Sequence, residues 1–480
     1  MPFCEKEKKM KNDRIVQEVR GVMTRFEPLT AEALNAATNG EMTLQEVGAA
    51  LELLGLDLEH VVHDPTRHNL NTFYADYQRG LYLELYLTSQ FLQEIPQVFA
   101  WRVPKEGEVV QELADQDWER FYSRRVPVPM AIYDFQQRYL ELPAEQIFSI
   151  WYSIHKRIDY SNDMWRPEVL GYVFSQAPAP ELPAADEDGL ITLYRGMGSL
   201  SQTPERALSW SSHPTSALWF AVHFARGTHI AVARVRPDQI VHYAPGYYNE
   251  NEVLVRPGTV KEFRYEDMIP AIEDTVPQML IPAVPDFLAY GLTAQKLGYK
   301  PERFPYIQVH GLMHILRVLL LSLIYYYNSG DTLSEADKQI LVYFSLLHDL
   351  GRTSEDRDDN HGDASVALIR TKGIRLKGIR LSAKDHRIAE LIIRFHCRDD
   401  QAGFDAIQAA PDLSKKDRER ACHLYCICKD MDGLDRVRFN GLDYRMLRTE
   451  YGRRLPLVAG CLLEESLLEA LQYGLGKGTM

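Results

Sequence analysis

The stretch SLLHDLGR, Ser345–Arg352, closes the apolar, helix-patterned run EADKQILVYFSLL with a histidine and an aspartate side by side. Upstream lies HGLMHILRV, His310–Val318, in which His310 and His314 are four apart and so share one helical face of an otherwise apolar segment. Downstream, KDMDGLDRVR, Lys429–Arg438, supplies Asp432 and Asp435. DHRIAELIIRFH and RERACHLYCICKD between and beyond them keep helical periodicity, so residues 291–480 read as an all-α domain. Imidazole nitrogens and carboxylate oxygens together suit a hard or borderline divalent cation. His348 and Asp349 alone fit a helix-end ion pair.

This order of an early His, a His-Asp pair and a late Asp resembles the HD-domain phosphohydrolases. The resemblance implies His314, His348, Asp349 and Asp432 as metal ligands, with His361 and His396 as further ligands or acid/base groups. A bound ion would polarise a phosphoryl oxygen and lower the pKa of a coordinated water. The HG-x-x-H opening, the acidic stretch with Glu355 after HDLGR and the later His396 also resemble the phosphodiesterase domain of SidE-type bacterial effectors. That likeness implies metal-free cleavage of ADP-ribosylated ubiquitin by His310 or His314, Glu355 and His396. Two features depart from it: the candidate transferase segment comes first in this chain, and a full set of metal ligands is present.

Between Gly189 and Tyr265 the periodicity changes. LITLYRGMG, ALSWSS, HIAVARV and NEVLVRPGTV are short, rich in branched and aromatic residues and bounded by Gly, Pro or Asn, which predicts strands. In order they carry Arg195, then Ser209 and Ser211, an A-x-x-F-A helix over Ala217–Ala221, and Glu250 and Glu252. A guanidinium offers a fixed fork of donors to a dinucleotide's paired phosphates. A carboxylate can stabilise an oxocarbenium-like ribose. Strand alternation puts Glu250 and Glu252 on one face.

The ordered set resembles the arginine-serine-glutamate class of mono-ADP-ribosyltransferases. The resemblance implies NAD bound by Arg195, Ser209, Ser211 and Glu252, catalysis by Glu252 with Glu250 and Ser209, and an arginine on a protein as acceptor. Tyr247 and Tyr248 fall where that family's target-recognition turn lies. Taken singly, each motif also fits an ordinary strand or a solvated acidic turn.

The fold class expected is α+β: a helical region of unassigned role (1–110), a mixed α/β transferase-like sheet domain (111–270), a Pro-punctuated linker (271–290) and the all-α domain (291–480). The net charge of -13 argues against a general nucleic-acid partner. Six cysteines, three of them crowded at Cys422, Cys426 and Cys428, make no disulfide framework and fit a reducing compartment. Helical geometry turns Cys428 away from Cys422 and Cys426, so these read as small buried apolar residues rather than a zinc site. The charged start MPFCEKEKKMKNDR lacks a signal-peptide core, and the longest apolar run, Ile315–Tyr327, is too short to span a bilayer. A cytoplasmic protein is expected, or one a bacterium delivers into a host cytosol without a classical signal; the acidic, apolar tail GCLLEESLLEALQYG resembles some effector export signals. The simpler alternative is a metal-dependent HD nucleotide phosphohydrolase with a regulatory or NAD-binding sheet.

Overall fold

A computed structural model describes residues 26–65, 72–76, 79–85, 87–88, 117–158, 164–199, 201–223, 227–246, 250–272, 274–299, 310–354 and 358–463. The chain divides into two compact units, Met1–Pro180 and Glu181–Met480.

The first unit begins with β1 (Glu27–Pro28), α1 (Ala31–Thr38) and α2 (Leu44–Glu52), followed by β2 (Val61–His63), β3 (Thr72–Asp76) and β4 (Leu81–Leu85). Thr30 caps α1, and α2 opens on a Thr43–Glu46 capping box in which each residue satisfies the other's backbone N–H. The strands form one antiparallel sheet in the order β1-β2-β3-β4. The region expected to be helical is therefore mixed. The strand segments VVH, TFYAD and LYLEL are buried along almost their whole length, so they lack the polar-apolar alternation that reveals a half-exposed strand. Four helices follow: α3 (Trp118–Arg124), α4 (Val128–Arg138), α5 (Ile147–His155) and α6 (Pro167–Ser175). The buried Asp134 on α4 ties sheet to helices by accepting hydrogen bonds from Tyr82 on β4 (2.8 Å) and Tyr122 on α3 (2.7 Å).

The boundary at residue 180 cuts the transferase-like segment expected over 111–270, leaving α3–α6 with the first unit. In the second unit β5 (Ile191–Gly198), β6 (Ser209–Ser211), α7 (Pro214–His223), β7 (Gly227–Val235), β8 (Ile240–Ala244), β9 (Glu252–Val255) and β10 (Phe263–Tyr265) build an antiparallel sheet ordered β10-β7-β5-β6-β9-β8. One face buries Ile191, Leu193, Met197, Trp210 and Val253. On the other, α7 lies so close to β5 that a β-carbon at Gly196 would stand 2.1 Å from the Ala217 carbonyl oxygen. The glycine of LYRG is thus a packing requirement.

Residues 271–290 are not a linker. They include α8 (Thr275–Leu280) and the start of α9 (Val284–Lys296), and bury Val276, Met279, Leu280 and Phe287. Pro285 stands in the first turn of α9, where a missing N–H costs no hydrogen bond, so the prolines read as breaks admit helices. Then come α10 (Leu312–Asn328), α11 (Glu335–Leu347), α12 (His361–Lys372), α13 (Ala383–Phe395), α14 (Asp400–Gln408), α15 (Lys415–Leu434), a 3-10 turn (Asp435–Arg438), α16 (Glu450–Arg454) and α17 (Pro456–Cys461). One apolar core runs from Tyr194, Ala217 and Ile230 of the sheet domain through α10, α11 and α15 to Leu457 on α17. Among the described residues no helix is long and apolar enough to cross a membrane.

Candidate metal centre and the sheet site

Five histidines and two aspartates converge where the helices of the second unit begin or end. His310 precedes α10 and His314 lies on its first turn; His348 and Asp349 follow α11; His361 opens α12; His396 follows α13; Asp432 is on the last turn of α15. His314, His348, Asp349, His361 and His396 are buried, whereas His310 and Asp432 are partly exposed.

Asp349 stands at the centre. Its Oδ2 faces His310 Nδ1 (2.9 Å), His314 Nε2 (3.6 Å) and His348 Nε2 (3.7 Å), and its Oδ1 faces His361 Nε2 (3.0 Å) and His396 Nε2 (3.5 Å). Asp432 Oδ1 lies 3.3 Å from His314 Nε2 and 3.6 Å from His348 Nε2. Two groups result: His314, His348 and Asp432 against one carboxylate oxygen of Asp349, and His361 and His396 against the other.

The outer nitrogens fix where the ring hydrogens sit. His348 Nδ1 faces the Phe344 carbonyl at 3.2 Å, His361 Nδ1 the Asp358 carbonyl at 2.5 Å and His396 Nδ1 the Ile393 carbonyl at 2.7 Å; carbonyls only accept, so each Nδ1 donates to its carbonyl, with Arg352 Nη1 at 3.1 Å as a competing partner of His361 Nδ1. His314 Nδ1 donates to Asp435 Oδ2 at 2.7 Å. In neutral rings the inner Nε2 atoms would carry lone pairs, yet they face each other, His314 to His348 at 3.2 Å and His361 to His396 at 2.9 Å. Facing lone pairs repel unless a proton or a cation lies between them. Donors about 3.0–3.4 Å apart are what a cation with ligand bonds of roughly 2.1 Å requires, so this donor set fits a divalent ion. The buried His and Asp groups can hold a metal ion.

The charges agree. Burial opposes charging His361, but its hydrogen bond to Asp349 outweighs that and holds it up at about 10. Burial likewise opposes charging His314, and hydrogen bonds to Asp432 and Asp435 raise it to about 9. Burial pushes His396 down, so one ring of the His361–His396 pair keeps the proton and its partner stays neutral. Burial alone would raise Asp349, but the surrounding histidines bring it well below the usual carboxylate range.

Asp435 has a role that its sequence position did not disclose. Fully buried, it accepts from Arg317 Nε at 2.5 Å and His314 Nδ1, pairs with Arg438 Nη1 at 3.0 Å, and so orients His314 from behind. The signal was readable: Arg317 is three residues after His314 and Asp435 three after Asp432, each pair on one helical face. Ser365 was missed too. Its hydroxyl donates to the His348 carbonyl (2.7 Å) and accepts from Gly351 N–H (2.8 Å), locking the HDLG turn to α12. Glu355 lies outside the described residues. His396 points inward at His361 and Asp349 rather than towards solvent.

In the sheet, register sets Tyr194 opposite Ser211 and Ser211 opposite Glu252, so these three share a face. Strand alternation assigns Arg195 to the opposite face, with Leu193 and Met197. Its guanidinium donates to the Ser209 carbonyl. The expected same-face pairing of Glu250 with Glu252 is corrected: Glu250 precedes β9, and Asn251 between them is left-handed with φ 50°, so strand alternation does not relate the two. Ser211 is buried; its hydroxyl donates to the Glu250 carbonyl (2.7 Å) and accepts from His213 N–H (3.0 Å). Tyr247 and Tyr248 lie outside the described residues. Comparison with family models, with curated proteins and with solved structures gives no match for the chain.

Proposed function

We propose that the second unit is a divalent-metal-dependent hydrolase of phosphate esters, acting on a phosphodiester or pyrophosphate linkage. The observation that carries this is the pair of inward-facing Nε2 contacts, each held by an outer hydrogen-bond partner and each beside Asp349. When bound, the ion supplies a polarised phosphoryl oxygen and a water acidic enough to attack near neutral pH. The chain's own residues do the rest. His314, His348, Asp349 and Asp432 hold one position, and Asp349, His361 and His396 a second. His310, the most exposed of the five imidazoles and fixed through Nδ1 to Asp349, is the candidate to pass a proton to the leaving oxygen. This reading is favoured over a metal-free one because the buried histidines crowd onto the carboxylates of Asp349 and Asp432.

The test is hydrolysis of bis-p-nitrophenyl phosphate and of free ADP-ribose by the full chain with Mn2+, Fe2+ or Zn2+. Chelation, His348→Ala and Asp349→Ala should each cut the rate by about a hundredfold or more. Full activity in chelator, or in either variant, would sink the metal reading and favour a histidine-glutamate mechanism.

For the sheet we propose NAD-dependent transfer of ADP-ribose to an arginine of a protein acceptor, with ubiquitin a candidate, so that the second site acts on the phosphates of the adduct. The cross-strand pairing of Ser211 with Glu252 supports it, while Arg195, on the opposite face, stands apart from that pair. Transfer of label from NAD to protein by the wild type, lost in Glu252→Gln, is the expected result. Equal labelling by both, or none by the wild type, leaves the sheet as a regulatory or NAD-binding module.

A further inference from the structure

The two cation positions proposed above are chemically unequal. Beside the first stand only imidazoles and carboxylates: His314, His348, Asp432 and Oδ2 of Asp349. Beside the second stands a thiol. Cys397 directly follows His396, is free, and its Sγ lies within 4.8 Å of a ring nitrogen of both His361 and His396. The two imidazoles are themselves more than nine-tenths buried and turn their Nε2 atoms onto each other at 2.9 Å, with Asp349 Oδ1 3.0 Å from the first and 3.5 Å from the second. The cysteine is therefore not alone: it stands beside two buried imidazoles that both face Asp349.

The geometry points to a mixed nitrogen, oxygen and sulfur site, in which Asp349, His361 and His396 are joined by the thiolate of Cys397 and the second position takes a softer ion than the first. This inference rests on the metal reading above and adds the identity of the ion. Thiolate sulfur favours Zn2+, Fe2+ or Co2+ over Mn2+ and Mg2+, whereas the all-nitrogen-and-oxygen set of the first position accepts either kind. On binding, the Sγ–H bond breaks, its proton leaves to the buffer, and the sulfur lone pair forms the bond to the ion. The thiol now donates to the Asp359 carbonyl at 3.3 Å; that carbonyl keeps a second donor, Arg398 Nε at 3.1 Å, so losing the first strands no acceptor. Cys422, Cys426 and Cys428 sit on α15 and belong to no such donor group among the described residues.

Cobalt titration of the full chain under anaerobic conditions tests this by spectroscopy and stoichiometry, independently of turnover. Two equivalents of Co2+ should bind, and one should bring a near-ultraviolet thiolate-to-cobalt charge-transfer band. Cys397→Ser should abolish that band and weaken one equivalent about tenfold or more, leaving the other and its visible ligand-field bands in place, while Cys426→Ser changes nothing. Bound Co2+ should also protect Cys397 of the wild-type chain from iodoacetamide, mapped by mass spectrometry, a readout that needs no variant to fold. Ligand-field bands without a charge-transfer band, or Cys397 alkylated equally with and without Co2+, would overturn the thiolate assignment and leave the hydrolase reading standing. No Co2+ binding at all would overturn both.

Discussion

Asp435 illustrates how much of the centre is held from behind. Its carboxylate is enclosed by Arg317, Arg438 and His314, and burial, which alone would raise its pKa, is outweighed by the two guanidiniums. Asp435→Asn removes a buried negative charge that pairs with two buried arginines, so the chain should lose about 3–5 kcal/mol by urea unfolding. Protein that still folds should bind metal 10- to 100-fold more weakly in a chelator competition, because His314 loses its orienting partner. A variant of wild-type stability and affinity would show that Asp435 merely fills space.

The ring protons give a second prediction at the same scale. In the metal-free chain His314 is held at about 9 and His361 at about 10, both above the roughly 6.5 of a free imidazole. A group whose pKa is raised by folding contributes its full stability below its unfolded value and loses it as pH rises through its folded value. The chelated protein should therefore lose thermal stability between about pH 7 and pH 10, and His361→Gln should flatten that slope. A cation must displace the same protons, so metal affinity should rise over the same range. A chelated melting temperature that climbs with pH would contradict both statements.

At the scale of elements, the centre depends on where helices end. His348 and His396 stand at helix C-termini and His361 at an N-terminus, and what fixes α12 against the HDLG turn is Ser365 with two glycines. A β-carbon at Gly351 would lie 2.3 Å from Ser365 N, and one at Gly362 would lie 2.4 Å from the Ile393 carbonyl. Ser365→Ala leaves a buried N–H and a buried carbonyl without a partner, so a loss of about 1–3 kcal/mol is expected in denaturant midpoint, with weaker metal binding. An unchanged midpoint would mean that water replaces the hydroxyl.

The same elements show what could be read in advance. α10, α11, α13 and α15 were legible because each is amphipathic or apolar with a polar residue out of pattern, and those exceptions, His314, His348 and Asp432, are the candidate ligands. β5, β6, β7 and β9 were legible from branched and aromatic runs. β2–β4 were not, since strands buried on both faces lose their alternation, and α8 and α9 were not, since prolines at helix starts resemble linkers. The sharing of Asp349 between two groups and the two faces dividing Arg195 from Glu252 depend on tertiary register, which no local pattern encodes.

Across the second unit, sheet and helical domain are one body. Tyr194 accepts a hydrogen bond from Arg445 at 3.0 Å, Ile269 N–H donates to the Arg454 carbonyl at 2.8 Å, and α7 is pressed between β5 and α17. Gly196→Ala should push α7 off β5 and cost about 1–3 kcal/mol. In calorimetry the transition it lowers should be the one that added metal raises. Separate transitions, with the metal-responsive one unmoved, would mean that the two parts melt independently.

Glycine lets α7 approach its neighbours on both sides: Gly196 on β5, and Gly460 on α17, where a β-carbon would stand 2.8 Å from the Val222 side chain. A helix wedged in this way ties the sheet firmly to the helical domain. If one site attaches a group and the other trims it, and the two do not reach one bound acceptor, the acceptor must let go of the first and be recaptured by the second. The half-made adduct is then a free species, open to dilution, to competing enzymes and to a trapping reagent added midway through the reaction.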